Sequence, residues 1–305
     1  MNLVELQPKI LKRMRFLSAI SLIAATSALL LAGCTGNTQQ EQEPAADTFF
    51  SSPSQQSDRE GAEYRSTGDA SLLEVRLPAR LDNQVVKYKA ITIHFNKHYR
   101  IPNCVAYELT NTQVAMADAP DAEKRNNYNF NRDTKVDGCP DWWEYKDTGY
   151  DRGHMAPAMD MRWNRTAMEQ CFMMTNICPQ DHELNDGEWR HMEEAIHSWA
   201  RRAERLVIFT GPVIRNDMKK IGKRHDIAVP EKFFKVVYDP KQRKSIAFMF
   251  KNEQAMNSWT NYAVTIDEVE RLTGIDFLAA LPDDVETAVE SKQSIKNWPH
   301  YTPRR

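Results

Sequence analysis

The residues with the clearest chemical potential lie in one short run, Gly149-Tyr150-Asp151-Arg152-Gly153-His154-Met155-Ala156-Pro157, which sets a carboxylate, a guanidinium and an imidazole around a glycine. That set suits cleavage of a phosphodiester. The diester is anionic and resists attack, so a catalyst needs a base to take a proton from water and cations to hold the charge that builds on the phosphorus oxygens. His154 can serve as the base and Arg152 as a cation. Gly153 between them lets the backbone turn tightly and approach a ligand.

A second group follows downstream in Thr175-Asn176-Ile177-Cys178-Pro179-Gln180, Leu184-Asn185-Asp186-Gly187-Glu188-Trp189 and Glu193. Trp189, Met192, Ile196, Trp199, Ala200 and Ala203 recur at helical steps, and the pattern predicts a helix that begins at Asn185 and buries one face. Glu193 falls on that apolar side, whereas Glu194 falls with His191 and Arg201 on the polar side. An unpaired carboxylate is costly to bury, so Glu193 calls for a partner such as a cation or metal-bound water, or, more plainly, a nearby arginine. His182, His191 and His197 surround the helix at spacings that do not pair two of them on one face as zinc ligands, and they are given solvated or packing roles.

Taken together, these segments resemble the DNA/RNA non-specific endonucleases of the ββα-metal type, which include the Serratia-like secreted nucleases and mitochondrial endonuclease G. The resemblance runs over about 89–251. It is carried by Asp151-Arg152-Gly153-His154, the segment from Asn176 to Gln180, Asn185, Trp189, Glu193 and Phe209-Thr210-Gly211-Pro212. It implies an α+β fold with a central, mainly antiparallel sheet flanked by helices. By the same resemblance His154 is the general base, Asn185 the protein ligand of one Mg²⁺, and Glu193 an orienter of metal-bound water. Arg152 and Asn176 contact the phosphate or support the site, and Asp151 fixes the geometry of the motif. Mn²⁺ or another divalent ion could replace Mg²⁺, which prefers oxygen ligands and often takes only one or two protein groups. The attack does not involve the 2′-OH, so DNA and RNA are both expected substrates, with 5′-phosphate products as in the family.

Other catalytic templates are absent: no His-Glu-x-x-His helix, Gly-x-Ser-x-Gly elbow, Walker A loop or Gly-x-Gly-x-x-Gly fingerprint occurs. Two further readings stay open. One is a protein that keeps the fold but binds nucleic acid or a partner without cutting it, although His154, Asn185 and Glu193 are all present. The other is a phosphodiesterase for small nucleotides, which differs in groove size. A homodimer is compatible with the sequence.

The elements that must position these groups are short strand-like runs at 90–95, 104–109, 206–210, 233–238 and 245–250, bounded by turn residues. The last two read as a hairpin around Asp239-Pro240, and 266–292 looks partly helical. With the helix after Asn185 this is an α+β pattern in one domain, 72–305, long enough for a well-buried core.

Ahead of that domain, Lys12, Arg13 and Arg15 precede an apolar run at 16–31 that leads into Leu31-Ala32-Gly33-Cys34. This resembles a bacterial lipoprotein signal, with residues 1–33 removed, Cys34 lipidated and Met14 a candidate start. Segment 34–71 is rich in Gln, Glu, Ser, Pro and Ala and reads as a flexible tether to the membrane. Thr35 after the lipidated Cys favours, by resemblance to lipoprotein sorting, the outer membrane of a Gram-negative cell envelope. The remaining Cys104, Cys139, Cys171 and Cys178 are even in number, as an oxidising compartment favours. From the endonuclease resemblance, Cys104 is expected to bridge Cys171 and Cys139 to bridge Cys178.

The formal net charge is −2, and loss of residues 1–33, with Lys9, Lys12, Arg13 and Arg15 against Glu5, makes it more acidic. Affinity for a polyanion must therefore come from local cations. Arg152 and Arg162 are the candidate substrate-binding residues. Lys124, Arg125, Arg132 and Arg165 around the motifs, and Lys219, Lys220, Lys223 and Arg224 after Gly211-Pro212, are further candidates for such patches, with ordinary solvated surface the plainer reading of each. No helix carries a base-reading array, so cleavage without sequence preference is the natural expectation.

Overall fold

The computed structural model describes residues 70–303. The expected signal, Cys34 and most of the tether lie outside the described residues. The expected domain start at 72 falls inside a short 3-10 turn, Ala70–Leu73, and Leu72 already packs into a core.

The strands in chain order are β1 (Gln84–Lys87), β2 (Ile91–Asn96), β3 (Ile101–Thr110), β4 (Asp151–His154), β5 (Ile177–Gln180), β6 (Arg205–Pro212), β7 (Lys219–Ile221), β8 (Ile227–Val229), β9 (Lys232–Asp239), β10 (Lys244–Lys251) and β11 (Ala263–Val264). The helices are α1 (Asn111–Ala117), α2 (Ala158–Met161), α3 (Arg165–Cys171), α4 (His182–Asn185), α5 (Glu188–Ala200), α6 (Ile266–Thr273) and α7 (Asp283–Glu290). A seven-stranded sheet runs in the order β1-β2-β3-β6-β9-β10-β11, and the adjacent pairs are antiparallel. Each of the five strand-like runs falls in this sheet, and β9 and β10 form the expected hairpin.

Alternation along the strands separates two cores, because successive side chains point to opposite faces. On β3, Val105, Tyr107 and Leu109 join the larger cluster with Trp189, Met192, Ile196 and Trp199 of α5. Cys104 and Ala106 join the other with Ile266 and Val269 of α6 and Val289 of α7. With both faces covered, β3 is buried along its whole length, which is why the central strands read as nearly continuous apolar runs. Burying each large side chain of α5 contributes about 1.5–3 kcal/mol, and this face fixes the helix against the sheet.

Two sequence expectations change. The long helix begins at Glu188, not Asn185, and Asn185 closes the short preceding α4. Gly187 makes the break: a Cβ there would meet the Glu183 carbonyl oxygen at 2.2 Å, so the chain turns where a side chain cannot fit. The disulfides are also absent, all four described cysteines being buried free thiols. Cys104 faces one core and Cys171 the other, so the sheet stands between the expected partners. The Cys139 thiol is instead occupied in its own loop, accepting from the Asp133 amide at 3.3 Å and donating to the Pro140 carbonyl at 3.7 Å. Burial pushes Cys139 up to about 12, and pushes Cys178 well above the ordinary thiol range too.

Candidate active site

The site is built on a small two-stranded ribbon beside the main sheet. β4 pairs antiparallel with β5, placing Asp151 opposite Gln180, Arg152 opposite Pro179, Gly153 opposite Cys178 and His154 opposite Ile177. α4 and α5 follow β5 directly, so the four residues of the first motif, Asn185 and Glu193 belong to one ββα unit. Gly153 is required by space: a Cβ would come 2.1 Å from Gln180 Oε1 and 2.6 Å from Gln180 Cβ. Asn252 fastens the far end of the ribbon, donating to the Pro179 carbonyl at 3.1 Å and accepting from the Asp181 amide at 2.7 Å.

His154 packs edge-on against Phe172 at 4.8 Å and against Phe130 at 5.2 Å between ring centroids. Its Nε2 is buried and has no hydrogen-bond partner among the described residues. Burial, with the Arg125 and Arg152 guanidinium groups alongside, pushes the imidazole down to about 3. The ring is therefore neutral at physiological pH and retains a lone pair with which to accept a proton.

The same aromatic platform holds two cations. Arg152 lies over Phe130 at 4.8 Å and Trp142 at 5.8 Å, and Arg125 lies over Phe172 at 5.2 Å and Phe130 at 5.9 Å. Arg152 Nη1 donates to the Trp142 carbonyl at 3.4 Å, while its Nε is buried without a partner among the described residues. Stacking fixes the guanidinium planes and leaves donors free for an anion. Arg125, one of several candidate cations for which the sequence favours plain surface, thus belongs with His154. No spacing rule reaches it, because tertiary packing of Phe130 and Phe172 brings it in.

Asn185 and Asp151 form the oxygen-rich side of the site. Asn185 Nδ2 donates to Asp151 Oδ2 at 2.9 Å, and His182 Nδ1 approaches the same oxygen at 2.9 Å. A carboxylate can only accept, so the amide of Asn185 must face Asp151, and among the described residues its carbonyl oxygen has no hydrogen-bond partner. The hydrogen bond to Asp151 raises the His182 pKa. His182 therefore supports the site, a role that its sequence spacing does not reveal.

Asn176 and Glu193 are structural anchors close by. Asn176 is fully buried: its Oδ1 accepts from the Ala156 amide at 3.0 Å, and its Nδ2 donates to the carbonyls of Ala156 at 3.0 Å and Cys171 at 2.8 Å. Of the two roles expected for it, this geometry gives the support of the chain after His154. Glu193 does find the partner that its place on the apolar face demands, but the partner is a lysine. Lys235 Nζ, wholly buried on β9, is 2.7 Å from Glu193 Oε1 and also donates to the Met155 carbonyl at 3.2 Å. Burial raises Glu193 to about 7 against the opposing pull of Lys235. A lysine inside the apolar run Phe233-Phe234-Lys235-Val236-Val237 was the available signal for this partner.

The other cations are dispersed. Arg162 turns its Nε to the Glu123 carbonyl at 2.9 Å, and among the described residues no hydrogen bond or ion pair joins it to His154 or Arg152. Arg165 pairs with Glu169 at 3.1 Å, Lys220 with Asp226 at 3.2 Å, and Arg224 with Asp141 at 3.6 Å. Lys219 reaches the Tyr150 hydroxyl at 3.4 Å beside the first motif. Of the remaining histidines, His197 is held by Asp160 at 2.7 Å and Asp118 at 3.3 Å, and His191 by Glu188 at 3.1 Å.

Comparison with known proteins adds to this geometry. The family model for DNA/RNA non-specific endonucleases matches residues 68–284. A nuclease of Nostoc sp. is 28% identical over 231 residues, covering 69% of this chain and 79% of the relative. A nuclease of Serratia marcescens is 29% identical over 219 residues, covering 68% and 79%. Mitochondrial endonuclease G of Bos taurus is 31% identical over 150 residues, covering 44% of this chain and half of the relative. The crystal structure of an EndoG/EndoGI complex shares the fold, with a TM-score of 0.60 at 22% identity over 66% of this chain and 87% of that one.

Proposed function

Because the chain belongs to the DNA/RNA non-specific endonuclease family, we propose that it hydrolyses internal phosphodiester bonds of both DNA and RNA, leaving 5′-phosphate ends. The observation that carries this reading is the neutral His154, braced on Phe130 and Phe172 beside Arg152 and Arg125. An attacking water hydrogen-bonded to the imidazole gives up its proton as it approaches phosphorus. The two guanidinium groups oppose the charge that grows on the non-bridging oxygens. Asn176 and Lys235 hold the chain just after His154, so the base keeps its orientation.

The donor set fits a hard divalent cation, Mg²⁺ in our reading, because Asn185 has an uncommitted carbonyl oxygen and Asp151 a carboxylate beside it. When bound, such an ion supplies charge neutralisation at the phosphate and the leaving oxygen. Asp151 and His182 orient Asn185 toward that task, and Glu193 lies behind on α5 as the candidate orienter of metal water.

We place the enzyme at the cell envelope, anchored through acyl chains on Cys34 in the outer membrane of a Gram-negative cell. The lipobox-like Leu31-Ala32-Gly33-Cys34 supports this. Globomycin treatment of expressing cells, or mass spectrometry of the mature N-terminus, tests it.

The activity is tested by digesting supercoiled plasmid and single-stranded RNA with Mg²⁺ or EDTA, beside His154→Ala and Asn185→Ala. Metal-dependent cutting of both polymers, lost in both variants, is the expected result. Well-folded wild type that cuts neither, or cuts RNA alone to 2′,3′-cyclic phosphates, refutes it.

A further inference from the structure

A second group of ionisable side chains lies on the face of the sheet opposite His154. Asp267 and Glu270, three residues apart on α6, point to one side of that helix, and Glu290 closes α7. One carboxylate oxygen of each lies within 4.8 Å of the others. Clustered acids at a surface are common and by themselves indicate nothing. Glu290 distinguishes this group: it is only 6% exposed, and its Oε1 is buried with no hydrogen-bond partner among the described residues. Glu270 Oε1 takes the Phe277 amide at 2.7 Å. Among the described residues, no lysine, arginine or histidine forms an ion pair with any of the three.

An unpaired buried carboxylate oxygen beside two more carboxylates is unfavourable unless positive charge comes between them. Burial and the neighbouring acids raise Glu290 to about 8. The cluster must therefore take up protons or a cation.

We propose that Asp267, Glu270 and Glu290 form a binding site for a calcium-type divalent cation that clamps α6 to α7. The donors are all hard oxygens, which excludes the soft-metal chemistry of thiolate or imidazole sites. Ca²⁺ accepts several carboxylates, mono- or bidentate, in irregular geometry, whereas Mg²⁺ demands a near-ideal octahedron and keeps its water. Exposed Asp267 gives an entry path and room for water ligands, and buried Glu290 closes the inner side. The purpose follows from what the helices cover. Ile266, Val269 and Val289 all belong to the second core, so an ion joining the end of α7 to the start of α6 holds the lid of that core in place.

The test uses the full-length chain stripped with chelator, in thermal melts and calorimetric titrations with Ca²⁺ alone. The ion should raise the Tm of wild type by roughly 5–10 °C at about 100 times its Kd. The rise should persist in Asn185→Ala, which alters the catalytic site, and disappear in Glu290→Gln while Mg²⁺-dependent cleavage survives. Because Glu290 is buried, exposed Asp267→Asn serves as a second variant and should weaken the titration at least tenfold. No Ca²⁺ effect on wild type overturns the proposal and leaves the cluster to share protons. A Ca²⁺ effect lost in Asn185→Ala but kept in Glu290→Gln also overturns it, by assigning the ion to the catalytic site. Neither result bears on whether the enzyme cuts nucleic acid.

Discussion

Lys235 Nζ stands 2.7 Å from Glu193 Oε1 and 3.2 Å from the carbonyl of Met155, so one buried ammonium ties the centre of the sheet both to α5 and to the residue after His154. Lys235→Met would strand Glu193 in an apolar setting and should cost about 3–5 kcal/mol in urea denaturation. The double variant Glu193→Gln/Lys235→Met should recover much of that loss. The penalty in Lys235→Met should also shrink from pH 8 to pH 5. Burial raises Glu193 to about 7 even with Lys235 pulling it down, so loss of Lys235 raises it further and protonation below pH 7 relieves the variant more than wild type. A penalty that is equal at both pH values counts against this arrangement.

His154→Ala should lower cleavage at least about 10²-fold with the far-ultraviolet circular dichroism unchanged. Retained cleavage would remove His154 from the chemistry and point to a base elsewhere.

Asp151→Ala frees the Asn185 amide from its partner at 2.9 Å. Outer groups of this kind typically change metal affinity 10–100-fold, so cleavage should need about that much more divalent cation. The maximal rate should return in part at high cation concentration. An unchanged cation dependence would show that Asp151 does not orient Asn185.

Gly153→Ala drives a Cβ to 2.1 Å from Gln180 Oε1 and should displace β4 with its His154. Activity should fall steeply in the single variant. Gln180→Gly, which removes both the Oε1 and the Cβ that would stand 2.6 Å away, should restore a large part of it in the double variant. Failure of the second substitution to help would mean that Gly153 is needed for conformation and not for room.

His94 supplies a pH signature outside the site. Burial, with Lys87 nearby, lowers it to about 4, so the folded chain refuses a proton that the unfolded chain accepts near 6.5. Its contribution to stability is present above pH 6.5 and is lost as pH falls toward 4. The stability difference between wild type and His94→Gln should therefore change by about 2–3 kcal/mol between pH 7 and pH 4. A constant difference across that range would exclude a neutral buried His94.

The sequence by itself determined the chemical vocabulary and the layout. Asp151-Arg152-Gly153-His154 and Asn185 could be read because the β4–β5 ribbon and the turn after it are local in the chain. The helical period around Trp189 placed Glu193 on the buried face, and the apolar runs located all five principal strands. Tertiary structure decided what these residues touch. Arg125 reaches His154 only because Phe130 and Phe172 pack together, and Lys235 meets Glu193 only because β9 lies in the sheet under α5. Cys104 and Cys171 are separated by a sheet face that no count of cysteines reveals. Periodicity reports which side of an element is buried, but the identity of a buried partner depends on packing between segments remote in sequence.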